Sequence, residues 1–233
     1  MKFILRIFVV CLFAGAAING SRAAENDFQI AKQAYDKNNV AKAVKLLLPL
    51  AEAGDPKAQL LLGYIYDLTD GTHGVKSDNT KARFWYEKAV KQDYTPALRE
   101  LGRHLIVNFR DTKRGYPLLK LAAERGDAKA QFTLGLMLTR SSWGLPENRT
   151  ASRKWFIKAL EQKYTIAATY LLLLHRRDGD YVEAYKWDLI DQFLHNRNKT
   201  IQHPDVREGM TKSQIAESQR RAKAWLLAHG EKP

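Results

Sequence analysis

The sequence predicts an all-α fold: a right-handed superhelical solenoid of antiparallel helix pairs, closed by a C-terminal capping helix. Two near-identical phrases carry most of that prediction, AEAGDPKAQLLLG ending at Gly63 and AAERGDAKAQFTLG ending at Gly135. Self-similarity at a fixed period is the mark of a repeat architecture, in which each unit buries its apolar face only against its neighbours. A second pattern follows each phrase. Asp78, Trp85, Tyr86 and Ala89 recur at the same offsets as Asn148, Trp155, Phe156 and Ala159. Finally, Cys11 is the only cysteine. Past the first residues no disulfide is available, and helix packing must hold the fold.

The segments follow in order. Residues 1–23 read as a cleaved secretory signal peptide. Lys2 and Arg6 form its basic start, Ile7 to Ala17 its apolar core, and Ser21-Arg22-Ala23 a small-x-small cleavage site. Val10 is too bulky for a lipid-attachment motif at Cys11. The expected location is therefore periplasmic or secreted, with no stable membrane insertion after cleavage. The helical repeats span 24–196: an opening pair at 27–54 and units at 55–93, 94–126, 127–163 and 164–196. A linker at 197–209, with Pro204, leads to the capping helix at 210–229. Thr211-Lys212-Ser213-Gln214 is a capping box that opens it, and Ile215, Ala216, Gln219, Ala222, Trp225 and Leu226 follow at rough amphipathic spacing.

Within the units, the first helices align on Ala58, Leu62, Gly63 and Tyr66; Ala97, Leu101, Gly102 and Leu105; Ala130, Leu134, Gly135 and Leu138; and Ala167, Leu171, Leu172 and His175. These offsets put one small-residue face on each helix. Glycine inside a helix costs about 1 kcal/mol against alanine, so its recurrence predicts a close approach. Second helices open at Asn39, Asp78, Asp111, Asn148 and Asp180, all good N-caps. Seven residues on come Leu46, Trp85, Leu118, Trp155 and Trp187, read as large residues packing between adjacent pairs. Long loops separate the helices at Leu68 to Ser77 and Thr139 to Glu147.

With these motifs in place, Gly74-Val75-x-x-Asp78-x-x-Lys81-Ala82-x-x-Trp85-Tyr86-x-Lys88-Ala89 resembles the Sel-one-like repeat, a relative of the tetratricopeptide repeat. Ala58-Gln59-x-x-Leu62-Gly63-x-x-Tyr66 matches that family's first helix, and the resemblance covers nearly all of 27–228. It departs at Leu118-Leu119, where the family has Trp-Tyr, and at Leu172 for glycine. The resemblance implies an interaction scaffold, an adaptor or regulator in the bacterial cell envelope. Two alternatives follow from relatives: a wall-active or β-lactam-binding or hydrolysing enzyme, and a secreted host-interaction factor. The disulfide-held relatives that act on β-lactams are a poor match to a cysteine-free chain.

Charge narrows the partners. The full chain carries 38 basic and 25 acidic residues, a formal +13. Loss of 1–23 removes Lys2, Arg6 and Arg22 and no acid, which leaves +10. A protein or peptide partner, acidic in character, suits that balance. Nucleic acid does not suit an exported chain whose bases are scattered along helices. No catalytic, cofactor or metal set is read: His73, His104, His175, His195, His203 and His229 lack ligand spacing, and no phosphate loop or nucleophile elbow occurs. The expected partner-binding strip lies opposite the small-residue face of the first helices. It comprises Leu60, Tyr64, Arg99, Arg103, Phe132, Leu136, Thr169 and Leu173, with the two arginines as carboxylate ligands.

Overall fold

In the structure, a computed structural model, residues 24–68, 71, 74–195 and 204–232 are described. The expected signal peptide at 1–23 lies outside them, as do 196–203 and His73. Helices run in the order α1 (24–36), α2 (Val40–Glu52), α3 (Pro56–Leu68), α4 (Asn79–Val90), α5 (Thr95–Phe109) and α6 (Thr112–Glu124). They continue with α7 (Ala128–Leu138), α8 (Arg149–Glu161), α9 (Ile166–Arg177), α10 (Tyr181–Leu194), α11 (Pro204–Arg207) and α12 (Lys212–Ala228). The fold is all-α, as the repeats predict, and among the described residues there is no strand beyond an isolated bridge at Lys76. The chain divides into two compact bodies, Met1–His104 and Leu105–Pro233.

All five expected N-caps form. Asn39, Asp78, Asp111, Asn148 and Asp180 each accept a hydrogen bond from a backbone N–H in the first turn of α2, α4, α6, α8 and α10. Second helices stop in one recurring way. A residue in the left-handed region follows the last turn: Gly54, Asp93, Gly126 and Lys163. The next amide then reaches back five residues, Asp55 to Leu50 O at 3.0 Å and Asp127 to Ala122 O at 3.1 Å. Glycine suits that conformation because no Cβ meets the following carbonyl.

In the N-terminal body, α1 to α3 enclose Phe28, Ala31, Leu47, Leu62 and Ile65 together with Trp85 of α4. In the C-terminal body, Phe156, Leu160, Leu171, Leu172, Trp187 and Ile190 form the corresponding core, closed by Ala222 and Leu226 of α12. The position eight past the cap is buried on every second helix, whereas the position seven past it is buried only at Trp85 and Trp187. Leu47, Tyr86, Leu119 and Phe156 are fully buried, whereas Leu46, Leu118 and Trp155 are half-buried.

The recurring glycine answers to that eighth position. The close approach is to a ring rather than to a second backbone. A Cβ built on Gly63 would lie 2.5 Å from Tyr86 Cδ1, and one on Gly135 would lie 2.6 Å from Phe156 Cε1. The ring lies directly on the helix backbone. Where Leu172 replaces the glycine, the eighth position holds Asp188, a smaller side chain.

A glutamine relay also repeats. Gln59 Nε2 donates to Ala51 O at 2.9 Å and its Oε1 accepts from Gln92 Nε2 at 2.8 Å. Gln131 and Gln162 do the same with Ala123 O, at 3.1 and 2.8 Å. Each relay ties the end of a second helix to the following first helix and to the turn beyond the next.

Helix α12 opens with the predicted capping box. Its buried face is Ser218, Ala222 and Leu226, with Ile215 and Trp225 beside it; Ala216 and Gln219, placed inward from the sequence, are exposed. Ser218 turns inward because its Oγ bonds Val182 O at 2.9 Å. Trp225 meets Trp187 edge-on at 5.7 Å, and Arg221 reaches Glu183 at 2.7 Å. Within the stretch read as a linker, Val206 of α11 is fully buried.

Gly135→Ala sets two effects against each other. Helix propensity gains about 1 kcal/mol, while a carbon 2.6 Å from a buried ring overpacks a site that has no room to give. The clash is expected to win, with a net loss of about 1–2 kcal/mol in chemical denaturation. Adding Phe156→Leu to Gly135→Ala should cost less than the sum of the two single changes, a coupling that a double-mutant cycle reads directly.

Candidate functional site

Of the eight strip residues, Leu173 alone is exposed, at 38%. Leu60, Tyr64 and Leu136 are half-buried. Phe132 belongs to the core. It sits among Phe156, Tyr164 and Tyr170 with ring centroids 5.5, 5.0 and 5.1 Å away, because its helix face turns toward α8 and α9. Thr169 is committed to the scaffold as well, donating from Oγ1 to Asp191 Oδ1 at 2.6 Å.

Arg99 and Arg103 are embedded in a polar network rather than presented to solvent. Arg99 Nε lies 2.9 Å from Glu100 Oε1, and Arg103 Nε lies 3.0 Å from Glu100 Oε2. Arg103 also forms an ion pair through Nη2 with Asp67, whose side chain is 1% exposed. His104, fully buried on the same helix, places Nδ1 2.8 Å from the other Asp67 oxygen and Nε2 3.0 Å from Asn79 O. Both ring nitrogens thus face acceptors. Tyr86 completes the group, its ring edge-on to His104 at 5.6 Å and its hydroxyl a long 3.4 Å from Asp67 Oδ2.

The electrostatics follow from that geometry. Burial pushes the Asp67 carboxyl up, but the hydrogen bond from His104 and the Arg103 charge outweigh it and hold the carboxyl below its ordinary value. Burial, with Asp67 and Glu100 nearby, pushes the Tyr86 phenol well up. For Arg103, burial acts against the charge, and the Asp67 and Glu100 carboxylates more than restore it. The scaffold therefore uses the charge at Arg103, which the sequence assigned to a partner's carboxylate. Glycine-ring packing puts Tyr86 against α3, and Asp67, one turn past Gly63, then needs countercharge. The sequence signal was available: Asp67 stands where the third repeat has Thr139, four residues after its glycine.

A second cluster lies in the C-terminal body, where the loop after α7 meets the start of α8 and the end of α9. Arg149 pairs with Glu147 at 2.8 Å and with Asp178; Arg153 also pairs with Asp178; Arg177 lies 3.5 Å from Glu147. Arg153 Nε is buried with no hydrogen-bond partner among the described residues. The His175 imidazole is held below its ordinary pKa by burial and then by the Arg153 charge, with Asp180 pulling the other way. Beside this cluster, Thr139, Arg140, Tyr170, Leu173, Leu174 and Arg177 line a groove. Sequence reasoning singled out only Leu173 of these. The others could have been found from Tyr170, Leu173, Leu174 and Arg177, whose spacings of three, four and seven define one face of α9.

Among the described residues no group of three His, Cys, Asp or Glu side chains could hold a metal ion. No helix among them is long and apolar enough to cross a membrane.

Comparison with known proteins bears on this fold. The family model described as Sel1 repeat matches residues 33–55, 56–94, 109–127 and 128–164. Among curated proteins, chitin synthase regulatory factor 3 of Schizosaccharomyces pombe is 29% identical over 116 residues, 48% of this chain and 12% of its own length. A protective antigen of uropathogenic Escherichia coli displaying an SLR fold superposes with a TM-score of 0.69 at 22% identity, over 88% of this chain and 46% of its own. A Sel1 repeat protein from Oxalobacter formigenes gives 0.53 at 16% identity, covering 87% of this chain and 98% of its own. The chain thus spans about half the length of the first solved relative and an eighth of the curated one.

Two outcomes test the Asp67 network. Arg103→Ala is expected to destabilise the chain by on the order of 2 kcal/mol, since it strips countercharge from a buried carboxylate. A carboxyl with a depressed folded pKa stabilises above its unfolded value of about 3.9 and loses that contribution as pH falls through the folded value. The stability gap between the natural chain and Asp67→Asn, followed by urea denaturation, should therefore narrow as pH drops below about 4. A gap independent of pH would mean that ionised Asp67 contributes nothing.

Proposed function

Because the chain belongs to the Sel1 repeat family, whose repeats generally act as protein-interaction scaffolds, we propose that it is an exported adaptor or regulator in the bacterial cell envelope. The single observation that carries the scaffold reading is the architecture itself: helix pair after helix pair with conserved spacing of caps and glycines, and side chains that vary on the remaining faces. The regulatory cast draws support from the chitin synthase regulatory factor, which matches over 116 residues. Export rests on Lys2, Arg6, the apolar run Ile7 to Ala17 and the small-x-small site ending at Ala23.

Binding through the first helices is part of the proposal, each body taken by itself. Leu60 and Tyr64 offer half-buried apolar surface on α3 and Leu136 on α7, and Leu173 offers exposed apolar surface on α9. Arg99 and Arg103 contribute through their outer nitrogens only, since Glu100 and Asp67 already hold them. The partner is a protein or peptide, and the formal +10 left after loss of residues 1–23 favours one of acidic character.

Crosslinking in intact cells followed by affinity capture from the envelope fraction tests the reading. A stable protein partner whose crosslinks fall on first helices is the expected result. Capture of no protein, or turnover of a small molecule by the purified chain, would overturn it. Mass spectrometry of the same material addresses export. The mature chain is expected to begin after Ala23, and an intact Met1 in the soluble fraction would defeat the proposal.

A further inference from the structure

We propose that the groove between the end of α7 and the last turns of α9 docks an extended segment of a partner protein. That segment sets an aliphatic side chain on Leu173 and Tyr170 and a carboxylate between Arg140 and Arg177. The inference rests on the scaffold reading and gives it a place and a chemistry.

Three observations carry it. The floor is apolar and uncovered: Leu173 is 38% exposed on a helix whose neighbours Leu172 and Leu174 are buried. The floor is also rigid. Tyr170 is braced from behind by Phe132 at 5.1 Å and by Phe156 at 5.5 Å, so a ligand meets a surface that needs no reordering.

The third observation is charge. Three guanidinium groups, Arg149, Arg153 and Arg177, gather around two carboxylates, Glu147 and Asp178, and Arg177 also lines the groove together with a fourth arginine, Arg140. Those two carboxylates are spent on Arg149, Arg153 and Arg177. The remaining acid nearby, Asp180, caps α10 and faces His175. Arg140 is exposed, with no ion pair among the described residues, and Arg177 is 49% exposed and donates to Thr139 O at 3.2 Å, which holds it at the rim. An apolar floor with two guanidinium groups at its edge complements a carboxylate next to an aliphatic side chain, because the planar fork of arginine matches a carboxylate. A purely apolar ligand would leave this excess charge unused, and a basic one would be repelled.

The experiment is an NMR titration of the isotopically labelled full-length protein as exported by the cell. The probes are short N-acetylated, C-amidated peptides of sequence Gly-Glu-Leu-Glu-Gly, Gly-Lys-Leu-Lys-Gly and Gly-Glu-Gly-Glu-Gly. The first is expected to shift resonances of Thr139, Arg140, Tyr170, Leu173 and Arg177, with an affinity that weakens as salt is raised. The other two are expected to bind at least about tenfold more weakly, since each loses one of the two required contacts. Arg140→Glu and Leu173→Ser both change exposed side chains and should fold normally, and each should weaken the first peptide by about tenfold. Equal binding of the lysine peptide, shifts that fall elsewhere, or no binding at all would overturn the groove. The scaffold reading stands apart from that result: a captured envelope partner whose crosslinks avoid α7 and α9 would sink the groove and leave the scaffold, whereas no partner and no peptide would end both.

Discussion

An aromatic ring lying on a bare stretch of helix backbone is the constraint on which the paired helices depend. Tyr86 covers Gly63 and Phe156 covers Gly135, each with less than 3 Å between the ring and the place where a Cβ would stand. Glycine lowers the propensity of α3 and α7 by about 1 kcal/mol each, and ring burial more than offsets that, since a buried aromatic removes 150–250 Å² from water, roughly 4 kcal/mol or more at about 25 cal/mol per Å². The second helix therefore cannot slide along the first without lifting a ring out of its seat. Caps at Asp78 and Asn148 fix where each second helix starts, eight residues before the ring. Register and crossing are set together.

Polar groups are then placed by what the ring does at its far end. In the third repeat the ring is Phe156, and its surroundings are aromatic and apolar. In the first it is Tyr86, whose hydroxyl end meets Asp67, His104 and Arg103. One hydroxyl thus accompanies a whole charge network in the N-terminal body. The two halves of the repeat pattern solve the same packing problem with a wet and a dry variant. Both keep the glutamine relay, through Gln59 and Gln92 in one and Gln131 and Gln162 in the other, each adding a side-chain donor to a carbonyl, Ala51 O or Ala123 O, near the end of a second helix.

Sequence spacing revealed the helix pairs, their caps and the recurring small-residue face, since these follow from local rules repeated along the chain. It did not reveal which of two adjacent large residues goes inward. Trp155 and Phe156 are both apolar enough to bury, and the choice depends on the facing glycine, a tertiary fact. Nor could spacing tell that Phe132 and Thr169 are consumed by packing and by Asp191. The strip was drawn by helix angle alone, and angle does not say how close the next pair stands. Arg103 was misjudged for a related reason: its countercharge Asp67 lies 36 residues earlier, beyond any local pattern.

What remains exposed after packing has taken its share is therefore informative. Of eight first-helix positions drawn from the sequence, Leu173 is the one the fold leaves uncovered, and it lies beside the place where arginine outnumbers acid. In the N-terminal body Arg99 and Arg103 are instead matched by Glu100 and Asp67. Paired charge of that kind rigidifies a core but has little left to offer a ligand. Excess charge at the rim of an apolar floor has the opposite character: it adds little to stability and is available for recognition. The distribution of satisfied and unsatisfied charge, more than the total of +13, separates the part of this chain that holds itself together from the part that can hold something else.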